Sequence, residues 1–217
     1  MPAEIAWLLG ITFVLFFVLV VVISRRKERE RAEALGRVAE TVGLAFEPKV
    51  DIAAIRSLAD LHLFARGHSK RVTNLMTGRF DDQQVAVFDY RYTTGSGKHQ
   101  HSSMQTVVVL PSAKRSLPDL QMAPENPLYK IAEAFGYQDI DIESSPEFSR
   151  HYIVRGADEA AVRAALYPGA TSYFAEHEGW TVEVRSGTVG IYRANRRPKP
   201  EDMQTFIADA CAAARSL

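Results

Sequence analysis

Ile5 to Ile23 is an apolar run without a single charged residue, and it stops abruptly at Ser24-Arg25-Arg26-Lys27. As a helix the run spans about 28 Å, close to the roughly 30 Å hydrocarbon core of a bilayer. Its many Leu, Ile, Phe and Val residues favour insertion by on the order of 5 kcal/mol. A helix apolar all round has no solvent face, and Trp7 stands where an interfacial aromatic belongs. No Lys or Arg precedes the run, it is long for a signal sequence, and no small-residue cleavage site follows. The expectation is an uncleaved transmembrane anchor over residues 1–24, with the lipid bilayer as partner through residues 5–23.

The flanks predict orientation. Residues 1–4 carry no Lys or Arg, whereas Arg25, Arg26, Lys27, Arg29 and Arg31 crowd the other end. Basic flanks stay in the cytoplasm. The predicted topology is a single-pass bacterial inner-membrane protein, N-terminus out, with its C-terminal domain cytoplasmic. Trp7, Arg25, Arg26 and Lys27 are the expected anchoring residues. Basic residues there also attract anionic headgroups, by about 1 kcal/mol each, and Glu28 and Glu30 dilute that pull.

Composition excludes several classes. The formal net charge is +0, so no basic surface advertises nucleic acid, and none is expected as a partner. Cys211 is the single cysteine, which rules out an intrachain disulfide framework and a multi-cysteine zinc site.

After the anchor, Ala32, Leu35, Val38, Ala39 and Val42 recur at spacings of three and four, predicting a juxtamembrane helix within residues 25–45, stopped by Gly43 and Pro48. A short amphipathic segment follows at 52–61. The period then changes to two. Strands are predicted at 72–80, 84–93 and 104–110, turning at Asp81-Asp82 and Gly95-Ser96-Gly97. In the middle strand Ala86, Phe88, Tyr90 and Tyr92 share one face, while Val85, Val87, Asp89 and Arg91 share the other. Asp89 and Arg91 need water or partners. Residues 117–125 read as extended chain, 126–135 as a helix opened by Asn126-Pro127, and 138–143 as a strand broken by Pro146. Region 148–217 reads β-α-β-β-α: a strand at 151–155, a helix capped by Asp158, a hairpin over 180–193 turning at Ser186-Gly187, and a helix from Pro200. Regions 46–143 and 148–217 form one core or two lobes. The fold class is α+β, an N-terminal transmembrane helix followed by a mostly antiparallel sheet with packed helices.

Candidate sites are few. Gly95-Ser96-Gly97-Lys98 fails as a phosphate loop: Tyr92 stands where a glycine is needed, His99 follows the lysine, and a strand rather than a helix comes next. His99 and His101 fall on one side if the segment is extended, a metal-chelating spacing whose third ligand would come from Asp89, His68 or His151. No catalytic motif is recognised and no cofactor is expected. Cys211 lies on an apolar helical stripe as a core thiol, and Arg196-Arg197-Pro198-Lys199 reads as a solvated linker, with contact to lipid or another acidic surface as the alternative.

Lys70 to Asn74, Phe88 to Tyr92, Gly95 to Lys98 and Gln105 to Val107, with Phe148-Ser149-Arg150 beyond, resemble a family of bacterial single-pass membrane proteins of unknown function. The resemblance implies a bacterial source and no activity. The functional expectation is a membrane-anchored interaction or scaffold domain with a protein partner at the inner membrane surface. The competing expectations are a metal-dependent enzyme or sensor using the 95–101 loop, and a peripheral lipid-binding domain.

Overall fold

The helical spacing of Leu35, Val38, Ala39 and Val42 belongs to a long helix, α1 (Ala3–Thr41), 39 residues without a break. A computed structural model describes residues 3–58, 60–112, 117–125 and 139–217 of the chain. α1 ends where Gly43 adopts φ +72°, a left-handed conformation that costs glycine nothing. The Leu44 amide then reaches back to the Ala39 carbonyl at 2.8 Å, closing the helix end with a Schellman bond.

An edge strand, β1 (Ala45–Val50), follows at once. Pro48 is tolerated there because an edge strand leaves one row of backbone groups unpaired. The sequence offered Pro48 only as a stop signal, so this strand was not anticipated. Next come α2 (Ile52–Leu58), a 3₁₀ turn at His62–Ala65, β2 (His68–Phe80), β3 (Gln83–Thr94) and β4 (His101–Pro111). The β2–β3 turn carries positive φ at Asp81 and Asp82, the conformation a two-residue hairpin loop demands.

β5 (Leu120–Pro124), α3 (Pro146–His151), β6 (Tyr152–Gly156), α4 (Glu159–Ala165), α5 (Pro168–Glu176), β7 (Thr181–Arg185), β8 (Thr188–Tyr192) and α6 (Met203–Arg215) complete the described elements. Asp158 caps α4 by accepting the Ala161 amide at 3.0 Å. Pro146 opens α3 at its first turn, where a missing N–H costs nothing, instead of merely breaking a strand. Of the strand expected at 138–143, the described part makes an isolated bridge between Asp139 and Arg155. The helix expected at 126–135 lies outside the described residues.

All the strands join one eight-stranded sheet in the order β1-β2-β3-β4-β8-β7-β5-β6. Its pairings are antiparallel, and β4 meets β8 from Val107↔Tyr192 to Pro111↔Thr188. The fold is α+β. One face carries α1 and α6 over Val85, Val87, Val108, Val182 and Ile191. The other is covered by residues 52–64 over Phe88, Tyr90, Val107 and Tyr192. The strict alternation in β3 therefore divides its side chains between two cores, as the period of two predicts.

Among the described residues no helix is long and apolar enough to cross a membrane. This corrects the transmembrane anchor, the single-pass topology and the inner-membrane placement expected from Ile5–Ile23. The N-terminal part of α1 nevertheless carries large apolar side chains, among them Ile11, Phe13, Val14, Leu15, Phe16, Phe17, Val22 and Ile23. Those side chains are exposed, Phe13 at 70% and Leu15 at 64%.

Candidate functional site

β3 carries one carboxylate into the apolar face beneath α1. Asp89 is 3% exposed, and an ionised carboxylate in such a place must be paired and hydrogen-bonded. The Arg31 guanidinium of α1 donates from Nε to Oδ2 at 2.8 Å and from Nη2 to Oδ1 at 3.1 Å. Thr106 of β4, directly opposite in register, donates its hydroxyl to Oδ1 at 2.6 Å. Asn74 donates its amide to Oδ2 at 3.0 Å. A bulge in β2 between Thr73 and Met76 puts Asn74 at φ +57°, and so turns that amide inward.

One further segment, the loop at 196–199, closes the cluster. Arg31 Nη1 donates to the Pro198 carbonyl at 2.8 Å. Arg197 lies 3.6 Å from Asp89 Oδ2 and makes a two-bond fork to Glu28, at 3.0 and 2.9 Å. Burial works against the Arg197 charge, but the bonds to Glu28 and the field of Asp89 outweigh it and raise its pKa. The 196–199 run is therefore knitted to α1 and the sheet, with the Thr106 amide donating to the Arg196 carbonyl at 3.1 Å, which corrects its reading as a solvated linker. Four donated hydrogen bonds fill both oxygens of Asp89, so its lone pairs are committed to holding α1.

A second buried acid sits on the opposite face. Glu183 of β7 is 1% exposed. It accepts from the Leu63 amide at 3.1 Å, the Tyr192 hydroxyl at 3.0 Å and the Gln121 amide at 3.3 Å. Arg66 nearby loses stabilisation of its charge by burial, and the fields of Tyr192, Glu183 and Tyr92 more than restore it, raising its pKa. Gly190 stands opposite Glu183 in register, and a side chain there would overlap Leu61. The missing Cβ lets the 61–63 segment descend until its amide reaches the carboxylate. Sequence reading missed Glu183, although an acid between Val182 and Val184 in an alternating strand is the signal for a buried partner.

The predicted metal ligands do not meet the expected geometry. Gly97–His99 forms a 3₁₀ turn and β4 begins at His101, so the segment is not extended through both imidazoles. Both histidines are exposed. Asp89 is engaged as above, His68 contacts the Ser69 hydroxyl and the Gly95 carbonyl, and His151 sits 3.5 Å from Glu178. Among the described residues no group of three or more His, Cys, Asp or Glu gathers to hold a metal. On α1, Trp7, Arg25 and Lys27 are exposed and Arg26 pairs with Glu30 at 2.8 Å.

A cavity of about 600 Å³ opens at the far sheet edge, lined by Arg150, His151, Tyr152 and Glu178 among others. Tyr152 accepts the Gly179 amide through its hydroxyl at 3.1 Å, and burial raises its pKa. Cys211 is fully buried on α6, and burial pushes its thiol pKa up, as a core position dictates.

The antiparallel sheet with helices over both faces defines an α+β domain. Among solved structures it is similar to the crystal structure of the mycobacterial trehalose monomycolate transport factor A, TtfA, with a TM-score of 0.60 over 87% of this chain and 92% of that one. The sequences are 10% identical, so the likeness is one of fold. No protein-family model and no curated protein matches the chain.

Proposed function

We propose that the chain is an interaction or scaffold domain that presents the apolar part of α1 to an apolar surface of a protein partner. One observation carries the reading: α1 is clamped at Arg31 to a buried carboxylate, while Ile11, Phe13, Phe16, Phe17 and Ile23 of the same helix stay exposed. A clamp fixes the direction in which the helix leaves the sheet, so the apolar part is presented in one orientation. Preorganisation of that kind lowers the entropy cost of association. The buried acids hold elements together and leave their oxygens occupied, which suits a domain that positions others. The name of the structural neighbour, a transport factor, supports a role as one part of a larger process.

The test is site-specific photocrosslinking from Phe13 and Phe16 of the full chain in the cells that express it. The expected result is one discrete adduct whose partner, once purified, binds the wild-type chain and loses binding to the triple variant Phe13→Ser, Phe16→Ser, Phe17→Ser. Absence of an adduct, or a partner that binds the triple variant equally well, overturns the proposal.

A further inference from the structure

The geometry points to a phosphate-binding site built on Arg71 and Arg91, on the α1 side of the sheet. The register sets Arg71 of β2 directly opposite Arg91 of β3. Directly opposed residues of an antiparallel pair share a face, with Cβ atoms about 5 Å apart. Arg91 is two residues beyond Asp89, so the pair lies on the face that α1 covers, just past the Arg31 clamp. Both arginines are exposed, and neither forms an ion pair among the described residues.

Like charges held opposite each other across a ladder repel. The acids of the clamp give no relief, and Asp51, one position past the Val50–Val72 pair, accepts the Ala53 amide at 2.9 Å. Asp89 is filled by four donors, Glu28 is bonded to Arg197, and Glu30 to Arg26. Lys27 stands one helical turn before Arg31, on the side of α1 that Arg31 occupies, and adds a third cation with no ion pair among the described residues. One rung outward, the Thr93 and Ser102 hydroxyls are hydrogen-bonded at 3.2 Å, which leaves one O–H between them as a neutral donor. Two guanidinium forks beside each other match the tetrahedral oxygens of a phosphate, and its charge of roughly −1.5 to −2 answers several cations where one carboxylate would not. The ligand class is a phosphate group, carried either by a small soluble compound or by a lipid headgroup. This site is independent of the crosslinking proposal, since it involves neither Phe13 nor its neighbours.

Titration calorimetry of the purified full chain with inorganic phosphate and glycerol 3-phosphate, at low ionic strength, tests the soluble source. Sedimentation with vesicles of phosphatidylcholine alone, and of phosphatidylcholine with phosphatidylglycerol, tests the headgroup source. Binding in either arm should weaken at least tenfold in Arg71→Gln and in Arg91→Gln, be partly retained in Arg91→Lys, and be unchanged in Arg79→Gln at the opposite end of the ladder. Phosphate should raise the melting temperature of the wild type and not of the double Gln variant. Soluble binding alone assigns the site to a free phosphate compound, and binding to phosphatidylglycerol vesicles alone assigns it to a headgroup. No binding in either arm, or binding undiminished in both Gln variants, overturns the site.

Discussion

Asp89 and Glu183 are buried acids on opposite faces of one sheet, and they are neutralised by different means. Asp89 receives a guanidinium from α1 and lies close to a second from the loop before α6, so it ties together segments far apart in the chain. Glu183 receives neutral donors from the sheet itself and one amide from the covering 61–63 segment, and its field supports the buried Arg66 charge beside it. The first acid fixes a helix to the domain; the second seats a lid of short helices. Asp89 is the costlier to disturb, because removing its charge strands the Arg31 guanidinium that two hydrogen bonds hold to it.

The largest effect is therefore expected at Asp89. Asp89→Asn leaves the Arg31 guanidinium, 12% exposed, without its counter-charge and should cost about 3 to 5 kcal/mol in urea unfolding. Replacing both partners, Asp89→Leu with Arg31→Met, should recover most of that loss, as apolar substitutes for buried pairs do. If the double variant is as unstable as the single one, the cluster is not a pair-centred clamp. Gly190→Ala comes next. Ala normally suits a strand better than Gly, but here its methyl displaces buried Leu61, and about 1 to 3 kcal/mol should be lost on denaturant titration. A gain in stability would show that the lid is not seated through Leu61.

Glu183→Gln keeps the shape and one acceptor while turning the other into a donor facing donors, so about 1 to 2 kcal/mol is expected in the same assay. A loss as large as that of Asp89→Asn would erase the distinction between the two acids. The smallest effect is alkaline. Burial raises the pKa of Cys211, Tyr152 and Tyr173, all on or packed against the Asp89 side. The unfolded chain then sheds these protons first, so stability is full below pH about 8.5 and falls as pH rises past the thiol and then the phenol range. Hydrogen exchange between pH 7 and 10 should loosen the α1 side before the lid side.

Local period made much of this fold legible. The alternation in β3 separated Phe88 and Tyr90 from Val87 and Asp89 correctly, and marked Asp89 as needing partners. Asp158 and the Ser186-Gly187 turn were readable because capping and positive φ are local demands. Arg31 and Arg197 were not readable as its partners, since they lie 58 and 108 residues away in sequence, and pairing over that distance is decided by packing. In Arg31 the topology signal and the clamp use the same side chain, and sequence alone favours the nearer explanation. The apolar run shows the same limit: hydropathy registered composition, while among the described residues no helix reaches the length and apolarity that a crossing requires.

The junction of β4 with β8 carries a consequence for how the chain is made. Residues 45–111 supply four consecutive strands, yet the outer rim of β4, with Val107, Val108, Val109 and Leu110, stays open until β8 arrives some 80 residues later. During synthesis at about 5 to 20 residues per second, that rim waits for several seconds as an unpaired apolar template. A nascent chain paused in α4 is thus at its most prone to stick to a neighbour, and slowing translation there should raise insoluble yield more than slowing it after Tyr192.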